Sequence, residues 1–414
     1  MQYSQDRENG RQSSKCQRGS KNYSPYFYSS LQFKLPKSWV YLPLILCLSL
    51  SLFSCGNPSP TESKTDVSSP EDDETKLTFF GVALEQFDEV GRPIWKVKAK
   101  QAKYTTDKQI GEAESPEGEL YQDGKVVYQI KAEKADIRQD GKQLFLQGKI
   151  IATDPSNGIV LKGNELEWRP QEDLLIVRNQ LNGSHKQLQA VAQEAKVKTR
   201  EQRVEFSGGV VAKSTEPQLQ MRTERLMWQI KEEKLFSDRP IQIDKYENNK
   251  ITGRSKGNAA EINLKTQIAT LQPQAQLELI AQKMQITSNS ITWNLNKEII
   301  TTNSPIRIFQ SAENVTVTAN QGRMQIPTNT VYLTGNVNAI GQRRQSLKSN
   351  QITWYLDKKL LEAQGNVVYR QIEPKLTFKG ETAVGNLETE NIVVKGGNST
   401  GRRVVTEIIP QEGR

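Results

Sequence analysis

Residues able to perform acid–base or nucleophilic chemistry are scarce in this 414-residue sequence. It holds one histidine, His185, and three cysteines, Cys16, Cys47 and Cys55, all at its N-terminal end. A catalytic triad would depend on His185 alone, and the surrounding segment, Asn182-Gly-Ser-His-Lys186, is typical of a solvated turn. We therefore expect no zinc site of His and Cys ligands after residue 55, and neither a metal nor a cofactor is predicted.

Acidic residues recur at related positions of the sequence, but no two of them stand out as a candidate catalytic pair. Asp136, Glu167 and Glu261 each follow or precede an apolar residue in similar strand-like segments. Glycoside-cleaving sites need two carboxylates on one face, and the sequence singles out no such pair. The main prediction is therefore that the protein is not an enzyme. A right-handed β-helix that acts on polysaccharide is kept as an alternative, because its coils have a compatible length.

The positive charge is concentrated before the body of the protein. The formal net charge is +9, and residues 1–54 hold seven basic and two acidic residues. No run of Lys and Arg of the kind that follows a phosphate backbone occurs beyond residue 54. Nucleic acid is therefore not expected as a partner.

The N-terminal segment has the pattern of an export signal. Residues 39–54 form an apolar run, which is shorter than the roughly 20 residues that span a bilayer, and Lys34 and Lys37 precede it. Leu52-Phe-Ser-Cys55 resembles a bacterial lipobox, which implies that Cys55 is the acylated membrane anchor; an uncleaved signal anchor is the alternative. We assign residues 1–54 to a leader and 55–76 to a flexible linker rich in Pro, Ser and acidic residues.

The remaining sequence predicts strands throughout. Apolar and polar residues alternate with a period of two, and polar turns such as 231–233 and 357–359 separate the segments. Tryptophans reveal a repeat of about 60 residues, and a second set without tryptophan (135–137, 195–197, 260–262, 322–324 and 383–384) interleaves with them. The repeat-defining tryptophans, which we expect to be core residues, are Trp168, Trp228, Trp293 and Trp354.

A glycine recurs within one strand of several repeats, as in Leu333-Thr-Gly-Asn-Val337. Glycine within a strand favours a bulge or corner. We therefore predict an all-β, elongated, open β-jellyroll: a V-shaped antiparallel trough of about nine half-repeats of ~30 residues. The tryptophan and non-tryptophan segments are expected on opposite sides of the trough. Its two continuous halves are predicted at 77–245 and 246–405, with a tail at 406–414.

The inner surface of such a trough should be apolar. Basic residues at its rim, Arg254, Arg343 and Arg344, are candidates to meet phosphate groups, although such charges are usually only solvated. The sequence does not decide which strand face points inward, because a slip of one residue exchanges the faces. The candidate groove residues are Ile150, Val210, Leu264, Ile308, Val337 and Val367.

These segments resemble the lipopolysaccharide-transport β-jellyroll family of LptA, LptC and the periplasmic part of LptD. The resemblance rests on 333–337, its echo at 363–367, and Phe87–Tyr104, which is similar to the start of LptC. It covers about residues 77–400. The body is nearly twice as long as that of a short LptC, and a lipobox replaces the usual uncleaved anchor, so the chain is similar to a long LptC variant.

The resemblance implies a non-enzymatic conduit on the periplasmic side of the inner membrane, attached through the leader or Cys55. The implied partners are lipopolysaccharide, an LptB/LptF/LptG-type ABC transporter, and an LptA-like or LptD-like β-jellyroll joined by edge-strand pairing. Head-to-tail self-association is a further expectation. An envelope scaffold lipoprotein without lipid cargo stays open as an alternative, and a closed, filled core would favour it.

Overall fold

The computed structural model describes residues 76–105, 110–138, 143–397 and 404–408. The predicted leader, Cys55 and nearly all of the linker at 55–76 lie outside these residues. The described residues belong to one compact unit, Pro70–Arg414. They form thirty strands joined in one sheet system, with a single short 3-10 turn at Pro170–Glu172.

Long strands and short strands have different places in this sheet. Twelve long strands each pair along their whole length, whereas the short strands pair with one another or with one end of a long strand. The long strands are β1 (Lys76–Phe87), β2 (Pro93–Thr105), β7 (Leu144–Thr153), β8 (Val160–Arg169), β9 (Leu174–Ser184), β10 (Leu188–Lys198), β11 (Arg203–Ser214), β12 (Leu219–Gln229), β25 (Thr330–Ile340), β26 (Ser346–Tyr355), β27 (Leu360–Gln371) and β28 (Leu376–Asn386).

The short strands form two separate ladders that are attached to the long strands. One ladder, with the long-strand ends that carry the repeated tryptophans, is the tryptophan wall; the other is the opposite wall. The short strands of the tryptophan wall are β3 (Ile110–Glu114), β6 (Lys134–Arg138), β13 (Lys234–Ser237), β16 (Ala259–Asn263), β17 (Ile268–Gln272), β20 (Ile291–Asn294), β21 (Ile299–Thr302), β24 (Gln321–Gln325) and β29 (Ile392–Lys395). Those of the opposite wall are β4 (Glu117–Gln122), β5 (Lys125–Lys131), β14 (Ile241–Glu247), β15 (Lys250–Gly257), β18 (Ala275–Leu279), β19 (Met284–Ser288), β22 (Ile306–Gln310), β23 (Val315–Ala319) and β30 (Val405–Ile408).

Strand β12 shows how the walls arise. Its C-terminal end, from Met227 to Gln229, pairs with β13 of the tryptophan wall, and its N-terminal end, from Leu219 to Thr223, pairs with β14 of the opposite wall. The two ladders merge again on β25, whose first half pairs with β24 and whose second half pairs with β23. Antiparallel pairing throughout the described strands confirms the predicted β-jellyroll trough and makes the β-helix alternative wrong.

The glycine step lies where a long strand passes from one wall to the other. The register shifts between Gln364 and Val367, and Gly365 between them has a φ of +79°. Glycine tolerates this left-handed backbone without the clash that a Cβ creates. Equivalent shifts occur at Gly148, Gly208 and Gly335. The predicted bulges are therefore confirmed, and they mark the corner of the trough.

The expectation that the two repeated segment types occupy opposite sides is wrong. The tryptophan-free segment 260–262 lies in β16, and Trp293 lies in β20; β17 pairs with both strands. All these strands belong to the tryptophan wall. The cause is that the chain leaves the tryptophan wall after one segment and returns to the same wall before the next, so both segment types lie on that wall with one antiparallel strand between them. The predicted boundary between 245 and 246 falls within β14, and the sheet continues across it.

We predict that Gly365→Ala destabilises the protein by about 1–3 kcal/mol, from left-handed strain and crowding. An added Cβ would lie 2.8 Å from Nδ2 of Asn350. Gly385→Ala is the matched control in neighbouring β28, since its Cβ would meet nothing closer than 3.9 Å. Urea unfolding followed by tryptophan fluorescence measures both. Equal midpoints for the two variants would contradict the assigned role of the glycine.

Candidate functional site

The space between the walls is lined by apolar side chains that form one buried core with residues from both walls. Five of the candidate groove residues occupy strands of the opposite wall: Ile150, Val210, Ile308, Val337 and Val367. Leu264 differs, because it lies in the turn after β16 on the tryptophan wall, where it is also buried. The structure thus places the six residues in the interior without bringing them into one local cluster.

The four repeated tryptophans extend from the tryptophan wall into the interior, and none is more than 3% exposed. The Trp228 ring lies 5.0 Å from the His185 ring, centroid to centroid. Trp293 packs against Gly253 of β15, where an added Cβ would lie only 2.6 Å from the ring. These two indoles therefore cross the space between the walls and contact the opposite side.

Two small cavities lie between side chains of the two walls. One of about 120 Å³ lies near Leu347, Leu361 and Tyr369, and another of about 70 Å³ lies near Tyr128 and Val197. A cavity of roughly 150 Å³ accommodates one benzene molecule. The core side chains around them are almost fully buried, so the protein's own side chains fill the space between the walls in this conformation.

Polar side chains close the mouth of the trough, where the turns of the two walls meet. At successive positions along the trough, which we call levels, a residue of the opposite wall forms a hydrogen bond or ion pair with a residue of the tryptophan wall. Four of these hydrogen bonds join residues that are 46 to 53 positions apart. We call this row the seam. Its pairs are Gln122–Asp173, Gln187–Glu233 at 2.8 Å, Lys245–Glu298 at 3.0 Å, Gln282–Asn329 at 2.9 Å, Glu313–Lys359 at 3.4 Å and Arg343–Glu390 at 3.0 Å.

Lys245 is the most buried charge of the seam. Its side chain is 10% exposed, it bonds Glu247 and Glu298, and its Nζ lies 5.8 Å from the centre of the Trp293 ring. Burial alone would lower the pKa of Lys245, but the hydrogen bonds to the two carboxylates outweigh it and raise that pKa. The charged form is therefore stabilised at the mouth.

The predicted turn at His185 is confirmed, but the residue is not fully solvated. It is half-buried against Trp228, and its Nδ1 accepts a hydrogen bond from the Gln187 N–H. Burial, aided by Lys186, lowers the pKa of His185, so the ring is neutral at pH 7. No triad surrounds it in the hydrogen bonds described.

The recurring acids are not assembled into a common site. Asp136 and Glu167 lie on β6 and β8, with β7 between them, and Glu261 lies on the distant β16. Burial would raise the pKa of Glu167, but hydrogen bonds from Arg169 and Arg178 lower it overall. Burial raises the pKa of Asp136. No group of three or more possible metal ligands occurs in the described parts of the chain.

Of the rim candidates, Arg343 belongs to the seam through Glu390. Arg254 lies on β15, with its Nε 3.8 Å from the buried carboxylate of Asp244, and Arg344 lies in an exposed turn. The rest of the seam was not identified from sequence. Its residues are ordinary polar members of turns, and no sequence pattern shows which turn of one wall meets which turn of the other.

Both ends of the sheet present strands with one free side. Strand β1 pairs with β2, and β29 and β30 pair with β28, with no further strand pairing described for them. Apolar side chains accompany these edges: Phe80 is 77% exposed, and Val393 and Val405 are each 56% exposed. Such edges are suited to adding another strand. Among the described residues, no helix has the length and apolar character to span a membrane.

The fold and the interior together define an elongated two-walled β-trough with a continuous apolar core. The family model described as "Lipopolysaccharide-assembly, LptC-related" matches residues 43–175, 160–278 and 307–401. These matches cover more than half of the sequence, and the protein belongs to this family. The resemblance proposed from the repeats is thereby confirmed.

Comparison with solved structures gives weaker likenesses. LptH of Pseudomonas aeruginosa, described as the LptA homologous periplasmic component of the conserved lipopolysaccharide transport device, is 14% identical; the match covers 38% of this chain and 95% of LptH, with a TM-score of 0.19. Hsv2 of Kluyvelomyces marxianus is 9% identical, over 80% of this chain and 97% of Hsv2, with a TM-score of 0.09. Both TM-scores are too low to support an argument. No curated protein matches the sequence.

Replacing Lys245 tests the energetic weight of the seam. We expect Lys245→Met to lower the free energy of unfolding by about 1–2 kcal/mol at pH 7, because Glu247 and Glu298 lose their shared cation. The folded-state pKa is raised above the ordinary 10.5. The contribution is therefore complete below pH 10 and declines as the pH rises through the folded-state pKa.

Lys234→Met is the matched control, since exposed ion pairs such as its pair with Glu261 at 3.2 Å contribute only about 0.2–1 kcal/mol. Urea denaturation of both variants between pH 7 and pH 11 makes the measurement. A constant difference between wild type and Lys245→Met across that range would contradict the assignment.

Proposed function

We propose that the protein carries lipopolysaccharide along the trough between its walls, as a non-enzymatic component of lipopolysaccharide export. The observation that carries this proposal is the LptC-related match over residues that form a continuous apolar interior. Burying acyl chains in such an interior gains roughly 0.8 kcal/mol per CH₂ group. Saccharide and phosphate groups would remain outside, in water.

Loading requires the walls to separate along the seam. The interior is filled by side chains, so cargo must displace contacts such as that between Trp293 and Gly253. The seam is polar and faces solvent, so each opened bridge exchanges one partner for water at modest cost. We infer that lipid enters sideways through the mouth, which keeps its polar head hydrated throughout.

The free edges support end-to-end partnership. Strand β1 at one end and β29 with β30 at the other could each pair with an edge strand of an LptA-like or LptD-like trough, or of a second copy in head-to-tail order. The supplier of lipid in this proposal is an LptB/LptF/LptG-type ABC transporter. The site of action is the periplasmic side of the inner membrane, with attachment through the leader or through acylated Cys55.

The filled interior of this conformation is the arrangement that the scaffold alternative predicts, and the family match is what favours lipid transport. A purely structural lipoprotein would keep its walls closed, whereas a lipid carrier must open them. The two functions therefore differ in whether lipid reaches the inner face and whether fixing the seam prevents it.

Photocrosslinking in cells distinguishes inner from outer positions on one strand. A benzoylphenylalanine replacing Leu361 or Tyr369, both buried on β27, should form lipopolysaccharide adducts. The same probe at Glu362 or Arg370, exposed on the other face of β27, should form none. Equal labelling of both faces, or none on a folded protein, would remove support for the trough as a lipid path.

Fixing the seam tests the opening. In Gln187→Cys/Glu233→Cys, a short bis-maleimide should tie the walls together, since the native side chains are 2.8 Å apart. We expect it to abolish lipopolysaccharide adducts at a benzoylphenylalanine replacing Phe206, whose ring packs near Gly183 beside this bridge. The single-cysteine variants report any effect of reaction at the native cysteines.

The matched control ties two strands of one wall. Glu205→Cys/Arg225→Cys places the crosslink between β11 and β12, where the native pair is 3.8 Å apart and does not cross the mouth. Adduct yield at Phe206 should be unchanged in this variant. If both crosslinks leave the yield unchanged, the lipid does not need the walls to part.

A further inference from the structure

The indole N–H groups of the four repeated tryptophans share an unusual feature. Each is buried, and each lacks a hydrogen-bond partner: Trp168, Trp228, Trp293 and Trp354. Buried polar groups in folded proteins nearly always have a partner. One exception would carry little weight, but this one recurs at the same place in four successive repeats.

The neighbouring strands supply no side-chain acceptor at these positions. Trp228, for example, lies between Val204 on β11 and Leu235 on β13, and both are buried. Backbone carbonyls there are engaged in the strand ladder. The same holds at the other three positions, where the flanking pairs are Leu144 and Leu175, Ala269 and Ile300, and Val331 and Leu361.

Two of these rings extend across the space between the walls. Trp228 reaches the His185 ring, and Trp293 reaches Gly253, both on the opposite wall. A molecule bound between the walls beside Trp228 or Trp293 would therefore contact these indoles. The row is parallel to the trough, with one donor for each pair of half-repeats.

We propose, resting on the function proposed above, that the four indoles form a row of hydrogen-bond donors for neutral oxygen atoms on the acyl chains of the cargo. Ester carbonyl, amide carbonyl and chain hydroxyl groups are the acceptors of suitable chemistry. A charged phosphate does not suit this apolar interior, and Lys245, the cation beside Trp293, already bonds two carboxylates. A plain hydrocarbon chain would leave the donors unpaired.

The test compares two lipids on the full-length protein. One is a synthetic glucosamine 1-phosphate carrying two acyl chains, and the other is its analogue with the same chains attached without carbonyl groups. Wild-type protein should bind the acyl probe about three- to tenfold more tightly, or more if several donors engage at once. Equal affinities for the two probes would overturn the proposal. If neither probe binds, the lipid-carrying function itself fails.

An isosteric replacement assigns the preference to the N–H group. Benzothienylalanine at position 228 or 293 keeps the ring shape and replaces the N–H with sulfur. It should narrow the affinity ratio by about three- to tenfold and leave the Tm of the ligand-free protein unchanged or raised, since an unpaired donor is removed. An unchanged ratio at both positions would overturn the proposal.

The same replacement at Trp95 is the control, because this residue lies at the opposite-wall end of β2, outside the row. There the ratio should not change, and an equal loss at Trp95 would point to general packing instead. Ultraviolet resonance Raman spectra of wild-type protein provide a measurement without variants. The indole N–H band should shift with the acyl probe and stay in place with the analogue; equal spectra would contradict the donor row.

Discussion

The structure depends on one constraint: a long strand must satisfy its backbone hydrogen bonds in two walls at once. Half of β12 pairs with β13 and half with β14, so the strand has to change direction without losing its ladder. In four of the twelve long strands a bulge provides that turn, with a glycine of positive φ at Gly148, Gly208, Gly335 or Gly365. Where the ladders run separately, between β13 and β24, the corner is instead a chain segment between two short strands. Both solutions keep the walls facing each other along the whole body.

The side chains between the facing walls differ in polarity from the corner of the trough to its mouth. The corner is fixed by covalent continuity, the interior is apolar, and the mouth carries the polar turns. Burial of the apolar side chains would hold the walls together without the seam. The seam therefore contributes more to the relative position of the walls than to the free energy that holds them together. Solvated pairs of this kind are individually weak. Lys245 is the exception, since its burial between Glu247, Glu298 and Trp293 makes its bridge the most protected of the six.

Sequence reasoning reached the fold because the fold is written in local, repeated signals. The period of two, the tryptophan spacing and the glycine step each report on a few neighbouring residues, and their repetition removes ambiguity. Sequence reasoning failed where the answer depended on which residues of one wall face which residues of the other. The tryptophan-free segments were expected on the other side because sequence does not show that the chain returns to the same wall before the next segment. Leu264 was expected among the strand positions, but one residue decides whether an apolar side chain ends a strand or begins a turn. The seam joins residues about 50 positions apart through ordinary polar side chains, and no local pattern records such a pairing.

The repeat also shapes how the trough can open. In a stacked repeat architecture each unit contacts only its neighbours, so its energetics are close to a sum of local terms. Opening one level then costs one bridge and the adjoining side-chain contacts, while the levels on either side stay closed. A lipid bound at one position could then open the next position, because contacts like those broken ahead of it re-form behind it. In the proposed function, levels of similar free energy would keep that exchange close to neutral, and the level of Lys245, with the most protected bridge, would be the hardest to open. Under the proposed function, the regular spacing of the tryptophans and of the seam would therefore give the lipid a regular path along the trough.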